Sequence, residues 1–68
     1  MSSPLFITND LEVAAGQAIE RSKGGQVNIF RRDQGLYELW DSDPGLGYRR
    51  VATARNGVME PFNWWTEL

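Results

Sequence analysis

The sequence predicts an α+β domain: one helix packed on a small antiparallel sheet, in the order β-α-β-β-β, with a short last strand allowed before Pro61. Three observations predict it. Apolar and small residues recur at helical spacing from Leu11 to Ser22, and the period changes to two from Gln26. Two turn signals, Asp33-Gln34-Gly35 and Asn56-Gly57, then divide the rest of the chain into short extended segments. No repeat, low-complexity run or linker interrupts the 68 residues, so residues 1–68 are expected to form a single small globular domain. A chain of this size buries only about 60% of its unfolded surface, which limits it to one small core.

Pro4-Leu5-Phe6-Ile7 is a short apolar run suited to a first strand, and Thr8-Asn9-Asp10 supplies capping side chains. With Asn9 as N-cap, Glu12 takes the third helical position, a loose relative of the capping box. Leu11, Ala15, Ala18, Ile19 and Ser22 share one helical face, while Glu12, Gln17, Glu20 and Lys23 fall mostly outside it. That face is narrow and built of small residues, so the helix can lie close to a sheet. Arg21 and Lys23 complement the C-terminal end of the helix dipole, and Gly24-Gly25 provides the exit.

Val27, Ile29 and Arg31 alternate with Asn28, Phe30 and Arg32, and Gly35 occupies the loop position that requires positive φ. A three-residue loop sets Arg32 opposite Leu36, Phe30 opposite Glu38, Ile29 opposite Leu39 and Asn28 opposite Trp40. One face then carries Val27, Ile29, Tyr37 and Leu39, the seat for the helix. The other carries Phe30, Arg32, Glu38 and Trp40. Asp41 to Gly47 is dense in turn formers and reads as a loop, Tyr48 to Arg55 as a strand, and Val58-Met59-Glu60 as its return, stopped by Pro61.

Composition removes whole chemistries. With no Cys and no His there is no zinc finger, no thiolate nucleophile, no Ser-His-Asp arrangement and no imidazole to titrate near neutral pH. The absence of cysteine favours a reducing compartment, and the cytoplasm is the expected location. The first ten residues lack a basic segment followed by an apolar run, and no stretch approaches about 18 apolar residues, so no membrane partner is expected.

The motifs that point to cofactors fail on inspection, and neither a cofactor nor a metal is expected. Asp41-Ser42-Asp43 opens like a calcium loop, but its fifth, sixth and twelfth positions are Gly45, Leu46 and Ala52. Gly45-Leu46-Gly47 begins like a dinucleotide fingerprint, but Arg50 stands at the third glycine position and a strand follows. Glu38 and Asp41 fall on opposite faces of an ideal strand, which argues against a catalytic carboxylate pair. Thr66-Glu67-Leu68 has the form of a carboxyl-terminal peptide ligand, a three-residue match of low specificity.

Charge is segregated along the chain. Arg21, Lys23, Arg31 and Arg32 precede Asp33, Glu38, Asp41 and Asp43, which precede Arg49, Arg50 and Arg55. On one reading an acidic middle strand pairs with basic neighbours on both sides. On the other, the arginines converge with Tyr48, Phe30 or Trp40 on one surface, an arrangement that binds single-stranded nucleic acid by phosphate contacts and base stacking. A net charge of −2 disfavours direct nucleic-acid binding. Phe62, Trp64 and Trp65 add an aromatic tail in which adjacent tryptophans cannot both point inward. One of them either closes the bare sheet face around Phe30 and Trp40 or stands exposed as an anchor.

With catalytic options nearly exhausted, the expectation is a non-enzymatic binding protein that occupies a surface of a macromolecular partner, a protein or a protein–nucleic acid complex. The expected contact residues are Phe30, Arg32, Trp40, Asp41, Asp43, Arg49, Arg50, Trp64 and Trp65, because Trp, Tyr and Arg dominate binding hot spots. The alternatives are a single-stranded nucleic-acid binder using Arg31, Arg32, Arg49, Arg50 and Arg55, and a self-associating protein that forms homodimers through the tail and a sheet edge. Size and composition alone suggest a phage-type inhibitor or accessory protein directed at host machinery or a defence complex, an expectation that no particular residue carries.

Overall fold

The helix begins one residue later than the capping pattern predicts. In the computed structural model, which describes residues 3–32, 35–61 and 63–67, Asp10 is the N-cap of helix α1 (Leu11–Arg21). Its Oδ1 accepts from the backbone N–H groups of Glu12 at 2.9 Å and Val13 at 3.4 Å, and its own N–H donates to Thr8 Oγ1 at 3.2 Å. A carboxylate at this position answers both the unpaired N–H groups and the positive end of the helix dipole, which the neutral amide of Asn9 answers less well. The buried stripe is Leu11, Ala14, Ala15, Ala18 and Ser22, with Ile19 partly buried beside it. Ala14 widens the predicted stripe by its i+3 spacing from Leu11.

Five strands form one antiparallel sheet: β1 (Phe6–Thr8), β2 (Val27–Arg31), β3 (Tyr37–Trp40), β4 (Arg49–Arg55) and β5 (Val58–Glu60). The spatial order is β1-β3-β2-β4-β5. Between β2 and β3 the register is the one predicted: Asn28 faces Trp40, Ile29 faces Leu39, Phe30 faces Glu38, and Arg32 N–H donates to Leu36 O at 2.9 Å. Gly35 has the positive φ of 74° that the tight loop demands, while Asp33 and Gln34 lie outside the described residues.

The alternation delivers Val27, Ile29, Tyr37 and Leu39 to the helix side, where they join Ala52, Ala54 and Met59 in one core with α1. β4 contributes one residue more than alternation allows. Its register against β2 shifts so that Ile29 faces Ala52 while Phe30 faces Arg50, and Val51 is the extra residue. Val51 and Ala52 are consequently both buried in the core, and Arg50 comes out on the opposite face.

Asn56 and Gly57, at φ 51° and 80°, make the tight turn from β4 to β5 that the sequence predicts. That turn is tied to the helix end. Ser22 O accepts from Asn56 N–H at 3.1 Å, and Ser22 Oγ accepts from Gly57 N–H at 2.8 Å while donating to Ile19 O at 2.8 Å.

The expected charge ladder on both sides of the acidic strand is corrected by the strand order. β3 lies between β1 and β2, because the apolar β1 takes its outer edge with Phe6 opposite Leu39. Only β2 brings basic residues to it. β4 lies beyond β2, and there Arg49 faces Arg31.

Candidate functional site on the open sheet face

One helix covers one face of the sheet, so the other face must be closed by side chains alone. The chain leaves β3 after Trp40 and enters β4 at Arg49, on the far side of β2, so the connecting loop 41–48 has to pass the central strand. It does so on the open face. Tyr48, the last residue of the loop, sets its ring edge-on against Phe30 (centroids 6.3 Å apart) and Trp40 (6.1 Å). Phe30 and Trp40 are each left only 7% exposed. They project from the predicted face, but as the floor beneath Tyr48 rather than as outward anchors.

Beside this aromatic cluster lies a carboxylate that water scarcely reaches. The Glu38 side chain is 2% exposed and is satisfied at both oxygens: Trp40 Nε1 donates to Oε1 at 3.0 Å and Arg32 Nη1 donates to Oε2 at 3.0 Å. The Arg32 guanidinium also stands over the Tyr48 ring, 5.4 Å from its centroid. Glu38 therefore locks Trp40 from below and Arg32 from the side, and Arg32 locks Tyr48. The outer surface of this cluster is a half-exposed arginine held in a fixed orientation on a tyrosine. Farther along the face, Asn28 Oδ1 accepts from Thr53 Oγ1 at 2.9 Å and Gln26 Nε2 at 3.1 Å, which closes the strip between β2 and β4.

Around the cluster the predicted contact residues separate. Arg50, on the same face opposite Phe30, is exposed. Arg49 is exposed at the end of β4 on the helix side, opposite Arg31. Asp41 and Asp43 are exposed in the loop, where Asp43 Oδ1 accepts from Gly45 N–H at 2.8 Å and so serves the turn itself. Trp64 does not cover Phe30 and Trp40. It packs against the core on the helix side, and Tyr48 takes the place that the sequence left to the tail. Trp65, edge-on to Trp64 at 6.0 Å, is 46% exposed, so one tryptophan faces in and the next faces out. Phe62 lies outside the described residues.

Two surface features were not anticipated. Leu46 stands fully exposed at the crest of the 41–48 loop, between Gly45 and Gly47, which both have positive φ. A groove of about 370 Å³ runs beside β4, lined by Arg50, Thr53, Arg55, Glu60 and Pro61 together with Val51 and Ala52. Neither has a signal in residue type alone. No helix among the described residues is long and apolar enough to cross a membrane. Compared with protein-family models, with curated proteins and with solved structures, the chain matches none.

Proposed function

We propose that this chain is a non-enzymatic binding protein whose open sheet face occupies a surface of a partner protein. One observation carries the reading: Arg32 is held half-exposed over the partly buried Tyr48 ring, on a buried Glu38–Trp40 base. Arginine and tyrosine are the residues that most often anchor interfaces, and holding them in place beforehand lowers the ordering entropy that binding costs. The non-enzymatic part of the reading rests on a sequence with neither His nor Cys.

Direct nucleic-acid binding is the weaker reading for this face. Base stacking needs an open aromatic ring, whereas Phe30 and Trp40 are buried and Arg32 lies over Tyr48. The test is affinity capture by the intact immobilised chain from a lysate of its native host, with mass spectrometry and an absorbance check for nucleic acid. Retention of a defined protein by the native chain, and its loss with Arg50→Ala while circular dichroism is unchanged, is the expected result. Retention of nucleic acid alone, or of nothing, would overturn the reading.

A further inference from the structure

Strand β4 is longer than the strand that covers it. β5 pairs only with Thr53, Ala54 and Arg55, so from Arg49 to Ala52 β4 has β2 on one side and, among the described residues, no strand on the other. Pairing with β5 stops at Glu60, the segment Trp64–Glu67 that follows touches β4 as well, and a groove of about 370 Å³ lined by Arg50 to Thr53, Arg55, Glu60 and Pro61 opens at this step. A strand edge that runs on past its neighbour is the kind of site to which an extended peptide adds as a further strand.

The side chains at the step are predominantly cationic. Arg50 and Arg55 line the groove, both exposed and neither in an ion pair among the described residues. Glu60, on the β5 side opposite Thr53, is the one acid in the lining.

We propose that the edge of β4 beyond the end of β5 is the docking site for an extended acidic segment of the partner protein, which adds as a strand beside Arg50–Ala52 and places carboxylates against Arg50 and Arg55. The inference rests on the partner-binding reading above and supplies the chemistry of the partner. A guanidinium fork pairs with a carboxylate through two parallel hydrogen bonds, so acidic side chains alternating along an extended strand fit this surface. Edge arginines also occur as guards against strand addition, and the two roles predict opposite effects of removing them.

The test uses the full chain and a capped peptide alternating Glu and Thr, with a peptide alternating Gln and Thr and an oligothymidylate as comparisons. Binding is followed by fluorescence anisotropy at about 50 mM salt, where electrostatic attachment is strong, and by amide chemical shifts and hydrogen exchange. The acidic peptide is expected to bind about tenfold more tightly than its Gln counterpart, to slow exchange at the Arg50–Ala52 amides, and to weaken about tenfold with Arg50→Ala or Arg55→Ala. Equal binding of both peptides, shifts elsewhere, or unchanged or tighter binding by Arg50→Ala would overturn it. So would an oligothymidylate that binds more tightly and displaces the peptide. If the peptide fails while the capture experiment still retains a protein, the docking inference falls and the partner-binding reading stands.

Discussion

Glu38 and Trp40, two residues apart on one strand and on the same face of the sheet, are joined by a hydrogen bond from the indole Nε1 to the carboxylate Oε1 at 3.0 Å. Each is buried, and each would be costly to bury without the other. The second carboxylate oxygen goes to Arg32, whose guanidinium reaches Tyr48. A single acidic side chain thus orients the residues that would meet a partner.

Glu38→Ala is expected to cost about 2–4 kcal/mol, since it strands a buried indole N–H and removes a carboxylate that pairs with a half-exposed arginine. Arg32→Ala removes one of the two partners and is expected to cost less, about 1–3 kcal/mol. Urea denaturation followed by tryptophan fluorescence measures both, and a double-mutant cycle should show the two effects to be non-additive.

The cap assignment separates two neighbours. Asp10→Ala is expected to cost about 1 kcal/mol because two N–H groups lose their acceptor. Asn9→Ala, exposed and outside the cap, should change stability by less than about 0.5 kcal/mol. Equal effects in thermal denaturation would contradict the cap described above.

Ser22→Ala is expected to loosen a contact between segments 35 residues apart. Gly57 N–H loses its acceptor and the buried hydroxyl is gone, a cost of about 1–2 kcal/mol. Hydrogen exchange at Gly57 should accelerate more than exchange at Ile29, because the turn can open without the core.

Two changes in the helix should have opposite signs. Gly16 is exposed, in regular helix, with open space where a Cβ would stand, so Gly16→Ala is expected to stabilise by about 0.5–1 kcal/mol. Ala14 is fully buried under the sheet, so Ala14→Leu should destabilise by about 1–3 kcal/mol through overpacking. Thermal denaturation of the two variants reads both directions.

Local chemistry made most of the fold legible. The Asn56-Gly57 turn, the β2–β3 register, the helix-side residues Val27, Ile29, Tyr37 and Leu39, and the stop at Pro61 follow from turn geometry and a side-chain period of two, which act between neighbours in the chain. The open face was legible in its membership but not in its exposure. Phe30 and Trp40 share a face because of register, yet only the loop that crosses β2 decides that Tyr48 buries them.

An α+β chain with one small-residue helix, strands that turn where glycine permits, and a charge pattern free of His and Cys chemistry can be read from residue order alone. The strand order, the bulge at Val51, the direction of Trp64 and the length of β4 left beyond β5 beside Arg50 emerge only when the segments pack together. The difference is one of range. Caps, turns and alternation are set within a few residues, whereas which strand lies beside which, and which ring covers which, is settled by competition among distant segments for one small core.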